Sequence, residues 1–121
     1  MKNLGIGKSV PLDTNETVVV TLVVDENGMI SSCGYSVEGS AYLDDCARTL
    51  CDVLPDKPVI DVLQMTNMAI VYNMETDLPA QFFYCSHMAT VAAKNAAKDY
   101  LRKNGIPFED DSCCHCGTIT E

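Results

Sequence analysis

The sequence has few basic residues and no long apolar run. Of its 121 residues only eight are Lys or Arg, whereas 17 are Asp or Glu, so the formal net charge is −9. This balance argues against nucleic acid and anionic membrane surfaces as partners, because both attract basic proteins. No stretch approaches the roughly 18 apolar residues of a membrane span. Residues 1–10 also lack the apolar segment of a secretory signal, so we expect a cytoplasmic protein that does not bind membranes.

The sequence also lacks the short motifs of common active sites. It has no phosphate-binding glycine loop, no dinucleotide-binding glycine pattern, no serine nucleophile elbow and no His-Glu-x-x-His zinc motif. The members of its adjacent acidic pairs, at residues 44–45 and 110–111, cannot face each other across a cleft. The sequence therefore offers none of the nucleotide-binding, serine-hydrolase or zinc-protease sites that these motifs form.

The hydrophobic pattern predicts a domain that begins with an antiparallel hairpin. Residues 17–24 are apolar and β-branched, which is typical of a strand. Residues 25–28, with an Asn-Gly pair, predict a tight turn. The returning strand at residues 29–37 places Cys33, Tyr35 and Val37 on one face, because side chains alternate along a strand. Residues 1–16 contain Gly5, Gly7 and Pro11, so we expect them to form a mobile arm that offers a third strand.

Helical signals dominate the rest of the domain. Ser40 is positioned to cap a helix whose apolar residues recur at helical spacing until Pro55 ends it. Two shorter helical pieces are expected before residue 75. The last helix is long, with Asp77 as its cap and Gly105 as its stop signal. The predicted fold is α+β, with a small antiparallel sheet of two or three strands and helices packed on one face.

The cysteines are the unusual part of the composition. The domain is expected to span residues 1–105 and to be followed by an acidic, cysteine-rich tail at residues 106–121. Seven cysteines without a secretory signal indicate metal or sulfur chemistry more than a disulfide scaffold. In the tail, Cys113 and Cys116 have the spacing with which two thiolates chelate one zinc or iron ion, and Cys114 is a further donor. The alternative is a solvated acidic tail whose thiols have no function.

Cys85 is the other candidate ligand. It lies in the opening turns of the long helix, where unpaired N–H groups and the helix dipole favour a thiolate. The alternative is a buried core thiol, because Cys85 also falls on the apolar stripe of that helix. Cys33 and Cys46 are interpreted as core residues and His87 as a surface histidine, while Cys51 has no assignment.

Residues 83–100 read FYCSHMA and continue in an alanine-rich run to Asp99-Tyr100. Earlier in the chain, the turn at residues 25–28 joins two predicted strands, and Asp-Lys-Pro at residues 56–58 follows a predicted helix. In these features, and in the order and length of its elements, the segment from residue 13 to residue 103 resembles the NifU/IscU iron–sulfur cluster assembly scaffolds, with residues 83–100 similar to the last helix of that family. The resemblance implies an α+β fold and a protein that holds a nascent iron–sulfur cluster or a zinc ion. It also implies a cysteine desulfurase and iron–sulfur acceptor proteins as partners.

The family holds its cargo with three cysteines, an aspartate and a histidine, and most of these are replaced in this chain. The Cys and Asp of the family's Cys-Gly-Asp motif fall on Thr14 and Glu16, so the acid is retained and the thiol is lost. The cysteine of its Gly-Cys-Gly motif falls on Ser40. Its His-Cys pair falls on Tyr84 and Cys85, which leaves Cys85 as the retained cysteine.

Three functions are compatible with this pattern. The first is a scaffold or carrier that binds an iron–sulfur cluster or a single metal ion through Cys85 and the tail thiols Cys113, Cys114 and Cys116. The tail then comes from the same chain or from a second copy in a homodimer. The second is an accessory that accepts sulfur from a cysteine desulfurase on Cys85. The third is a paralogue without metal chemistry that serves as a binding or regulatory module.

Overall fold

A computed structural model describes residues 3–9, 16–74 and 78–106. Within these ranges three strands come first, and three α-helices and two 3-10 helices follow. In chain order the elements are β1 (Leu4–Ser9), β2 (Thr17–Val24), β3 (Ile30–Glu38), α1 (Ala41–Val53), a 3-10 helix (Val59–Gln64), α2 (Met68–Val71), a second 3-10 helix (Ala80–Phe82) and α3 (Tyr84–Lys103).

Strands β2 and β3 form the predicted hairpin and pair antiparallel. The carboxylate of Asp25 holds the turn, because it accepts hydrogen bonds from the backbone N–H groups of Asn27 (2.8 Å) and Met29 (3.0 Å). Gly28 adopts a φ of 80°, a conformation that glycine reaches without the steric cost of a Cβ. The predicted hairpin is therefore confirmed.

Strand β1 pairs antiparallel with β2 and completes a sheet of order β1-β2-β3. Residues 4–9 of the expected mobile arm are thus the third strand, and residues 10–15 lie outside the described ranges. Gly5 and Gly7 explain how this strand packs closely on α3, since a Cβ on either residue would collide with the backbone of α3 near Ala92 or Ala96. In the sequence these glycines indicate a loop, but in the fold they let a strand lie directly against a helix.

Helix α1 begins and ends where the sequence predicts. The Ser40 hydroxyl accepts a hydrogen bond from the backbone N–H of Leu43 at 3.2 Å, and Ser40 has the extended conformation of an N-cap. The helix ends at Val53, two residues before Pro55. The expected shorter pieces are the first 3-10 helix and α2.

Helix α3 begins later than the sequence predicts. Residues 80–82 form a separate 3-10 helix, and Phe83 precedes α3 without a capping side-chain hydrogen bond. The predicted cap, Asp77, lies outside the described residues. The C-terminal end agrees with the prediction, because Gly105 adopts a φ of 67° just beyond Lys103.

The core lies between the sheet and the helices. Helix α3 packs on β1 and β2, and α1 packs on β3 and α3. Alternate side chains of β2 point into this core, namely those of Val18, Val20, Leu22 and Val24. The α+β fold with helices on one face of a three-stranded antiparallel sheet is therefore confirmed. In the described part of the chain, no helix combines the length and the apolar character that crossing a bilayer requires.

Candidate functional site

Three separate segments meet at one end of the sheet. Glu16 directly precedes β2, and Ser40 follows β3 at the cap of α1. Because β2 and β3 are antiparallel, the start of one strand lies beside the end of the other. Tyr84 and Cys85 are the first two residues of α3, and this end of α3 reaches the same end of the sheet. The topology thus brings together four of the positions that the resemblance singles out. We call the group formed by Glu16, Ser40, Tyr84 and Cys85 the corner.

Glu16 is the centre of a hydrogen-bond network at this corner. Its carboxylate accepts a hydrogen bond from the Tyr84 hydroxyl at 2.6 Å and another from the Ser40 backbone N–H at 3.1 Å. Gly39 leaves room for the carboxylate, since a Cβ there would lie 2.8 Å from the Glu16 Cγ. The two oxygens of Glu16 are therefore both engaged within the protein.

The protonation of these groups follows from the network. Partial burial raises the pKa of Glu16, but the hydrogen bonds from Tyr84 and Ser40 lower it more, and the net pKa lies below its ordinary value. The same hydrogen bond to Glu16, with burial, raises the pKa of Tyr84. Near neutral pH the pair is therefore an anionic carboxylate and a neutral phenol.

Cys85 lies beneath this network as a buried thiol. Its residue is fully buried, and its Sγ lies 3.8 Å from the Ser40 Oγ. Burial raises the pKa of Cys85 more than the hydrogen bonds of Ser40 and Tyr84 lower it. The start of the helix is expected to favour a thiolate, whereas burial and the nearby charge of Glu16 shift the pKa of this thiol in the opposite direction.

The described side chains at this corner do not form a cluster site on their own. They offer one thiol, one carboxylate, one serine hydroxyl and one phenol, whereas cluster irons prefer thiolates. The carboxylate is already hydrogen-bonded on both oxygens. Across the described residues there is no group of three His, Cys, Asp or Glu side chains placed to hold a metal ion. Further ligands have to come from elsewhere.

The remaining predicted ligands, Cys113, Cys114 and Cys116, fall outside the described residues. Thr14, where the resemblance places a replaced cysteine, also lies outside them. His87 is exposed on α3, as expected of a surface histidine. The structure neither joins the tail thiols to Cys85 nor separates them from it, so their role stays a prediction.

Two cysteine arrangements carry no signal in the sequence. Cys46 is buried as predicted, and burial raises its pKa to about 12. Cys46 and Cys85 belong to the same hydrophobic core. Cys51, which had no assignment, has its Sγ 2.7 Å from the Sγ of Cys33. Neither pairing follows from spacing, because each joins different elements of the fold.

The fold and this corner define a class of small α+β domains in which the loops around a sheet hairpin and the start of a long helix gather donor groups. A family model described as the NifU-like N terminal domain matches residues 2–106. The chain belongs to this family, which confirms the resemblance, and the family supports a general role in iron–sulfur cluster assembly. No curated protein matches the chain.

Proposed function

We propose that the protein is a non-enzymatic scaffold or carrier in iron–sulfur cluster assembly whose cargo is held by Cys85 together with tail thiols. The cargo is a cluster or, in its absence, a single iron or zinc ion. The observation that carries this proposal is the meeting of Glu16, Ser40, Tyr84 and Cys85 at one corner. These are four positions at which the resemblance places ligands of the family, and this supports the proposal although most of those ligands are replaced.

The corner has one thiol, so the proposal takes the further sulfur ligands from the tail. Cys113, Cys114 and Cys116 are the thiols that the described part of the chain does not place. With Cys85 they supply enough sulfur ligands for one metal centre, since iron–sulfur clusters and structural zinc are commonly held by up to four cysteines.

The length of the tail limits which copy supplies these thiols. The backbone N–H of Ile106 donates to the carbonyl of Leu101 at 2.9 Å, so the tail starts beside Leu101. Along α3, Leu101 lies about 24 Å from Cys85 at 1.5 Å per residue. A fully extended chain from Ile106 spans about 23–25 Å to Cys113 and about 33–36 Å to Cys116. Both thiols of one tail therefore cannot meet Cys85 without near-complete extension, which favours a second copy as the source.

Cargo loading also has to open the corner. Cys85 is fully buried, and the Tyr84 hydroxyl occupies one oxygen of Glu16. The cysteine desulfurase and acceptor proteins that the family implies are the partners that we expect to bind there during loading and release. A buried thiol with a raised pKa is a poor nucleophile, so persulfide acceptance by Cys85 has less support.

A second function is favoured by the same network. The Glu16 carboxylate accepts hydrogen bonds from Ser40 and Tyr84 and does not offer a free oxygen to a metal ion. A closed, hydrogen-bonded corner of this kind suits a family member that keeps the fold as a binding or regulatory module and carries no cargo.

One experiment separates the two functions. The full chain is purified without oxygen and reconstituted with iron and sulfide, and bound iron, zinc and acid-labile sulfide are measured. The variants are Cys85→Ala and a deletion of residues 112–121, and the matched control is Cys46→Ala, since Cys46 is another fully buried cysteine.

The carrier proposal expects iron and sulfide in near-equal amounts in the wild type and in Cys46→Ala, and loss of both in the other two variants. Zinc with the same pattern of loss would mean a single-ion site. If the Cys85→Ala variant binds as much metal as the wild type, Cys85 is not a ligand of the site. If the wild-type protein holds neither metal nor sulfide after reconstitution, the carrier proposal is wrong and the function as a binding or regulatory module is supported.

A further inference from the structure

Two half-buried cysteines lie in contact near the end of α1 opposite to the corner just described. The Sγ atoms of Cys33 and Cys51 are 2.7 Å apart, and both residues are free thiols. A disulfide bond is about 2.05 Å long, so closing it requires a movement of well under 1 Å. The pair joins strand β3 to helix α1 across 18 residues of sequence.

The position of each cysteine is set by the fold. Cys33 stands opposite Leu22 in the register of β2 and β3, so its side chain points to the covered face of the sheet. Cys51 lies in the last turn of α1, the helix that packs on β3. Both side chains are partly exposed. A small reagent can therefore reach them, while the surrounding elements hold the sulfurs together.

The contact makes the two thiols unequal. The hydrogen bond from Cys33 lowers the pKa of Cys51, against burial and the charge of Asp52, which raise it. The same hydrogen bond and burial raise the pKa of Cys33. This hydrogen bond favours Cys51 as the attacking thiol, because thiolates are the attacking species in thiol–disulfide exchange.

We propose that Cys33 and Cys51 form a reversible dithiol–disulfide couple that reacts with low-molecular-weight disulfides of the glutathione type. The Cys51 thiolate attacks the small disulfide, forms a mixed disulfide and releases one small thiolate. Cys33 then loses its proton and attacks the Cys51 sulfur, which forms the Cys33–Cys51 bond and releases the second small thiolate. The protein loses two electrons, the small disulfide gains them, and the two protons pass to the released thiols.

The couple is independent of the proposed cargo site. It uses neither Cys85 nor the tail, and it ties β3 to α1 by a covalent bond. Oxidation closes a loop of moderate length, and such a crosslink stabilises mainly by restricting the unfolded chain. We expect the Tm of the oxidised full chain to rise by roughly 10 °C relative to the reduced chain.

The test treats the reduced full chain with oxidised glutathione, quenches with an alkylating reagent and identifies each cysteine by peptide mass spectrometry. The variants are Cys33→Ser and Cys51→Ser, and Cys46→Ser is the control. In the wild type and the control we expect a Cys33–Cys51 crosslinked peptide without bound glutathione. In Cys33→Ser we expect a glutathione adduct trapped on Cys51, and in Cys51→Ser we expect no crosslinked peptide that contains Cys33.

Several outcomes overturn the proposal. One is a wild-type chain in which Cys33 and Cys51 are both alkylated while only tail cysteines are oxidised. Another is a stable glutathione adduct on wild-type Cys51, since this would mean that Cys33 cannot complete the exchange. A lower Tm after oxidation, measured on the same samples, would mean that the bond distorts the fold. Circular dichroism of the reduced variants verifies that each is folded before its result is counted.

Discussion

Replacing Tyr84 with Phe tests the network around Glu16 by deleting one hydroxyl. The hydroxyl donates to the Glu16 carboxylate at 2.6 Å. Hydrogen bonds to charged groups contribute about 1.5–3 kcal/mol. Tyr84 is 38% exposed, so water competes for both groups, and we expect a loss of about 1 kcal/mol in the free energy of unfolding. For a domain of this size the Tm should fall by roughly 3–5 °C.

A double-mutant cycle isolates this interaction from other effects of the substitutions. The cycle compares Tyr84→Phe, Glu16→Ala and the double variant by urea unfolding, with a coupling energy of about 1 kcal/mol expected. Tyr72→Phe is the matched control, because Tyr72 is 79% exposed. A coupling energy within about 0.3 kcal/mol of zero, where such cycles no longer resolve an interaction, would refute the role given to this hydrogen bond.

The coupling should also depend on pH with a defined sign. The network holds the pKa of Glu16 below its ordinary value of 4.5. A carboxyl whose pKa is lowered by folding contributes stability above its unfolded pKa and loses it as the pH falls through the folded pKa. The stability difference between wild type and Tyr84→Phe should therefore be constant from neutral pH down to about pH 5 and shrink below that. A difference that grows on acidification contradicts an ionised Glu16.

The remaining predictions concern the fold. Gly7→Ala should destabilise the protein by about 2–3 kcal/mol in urea unfolding, because the methyl group would collide with α3. Gly34→Ala, with open space around it, should not destabilise. Ser40→Ala should cost about 1 kcal/mol through loss of the N-cap, as measured by thermal unfolding. Deleting residues 112–121 should leave the Tm within about 2 °C of wild type, since α3 ends at Lys103; a larger drop would make the tail structural.

Much of the fold was predictable because its signals are local. The hairpin needed only a β-branched run and a turn at residues 25–28, and α1 needed only the cap at Ser40 and the stop at Pro55. Strand β1 was less clear because Gly5 and Gly7 indicate a loop locally. These two residues lack a side chain because the backbone of α3, almost 90 residues further along the chain, lies directly against them.

The chemistry of the site was less predictable than its location. Family resemblance singles out Glu16, Ser40, Tyr84 and Cys85, and the structure brings them together. Helix position alone predicts a thiolate at Cys85, yet its protonation is set by burial among other elements. The contact of Cys33 with Cys51 depends on how α1 lies on β3, which no spacing rule reveals.

The hydrogen bonds that close the corner stabilise the fold but oppose the binding of cargo. A ligand site needs donors that are free to bind metal, whereas here Ser40 caps α1 and Tyr84 and Ser40 bind Glu16. Opening the corner costs at least the Tyr84 hydrogen bond, about 1 kcal/mol, which is roughly a fivefold loss in affinity. If the protein is a carrier, Tyr84→Phe should therefore be less stable and yet retain more iron after reconstitution. If it is a module without cargo, the same variant loses stability and gains no iron, so one substitution distinguishes the two functions.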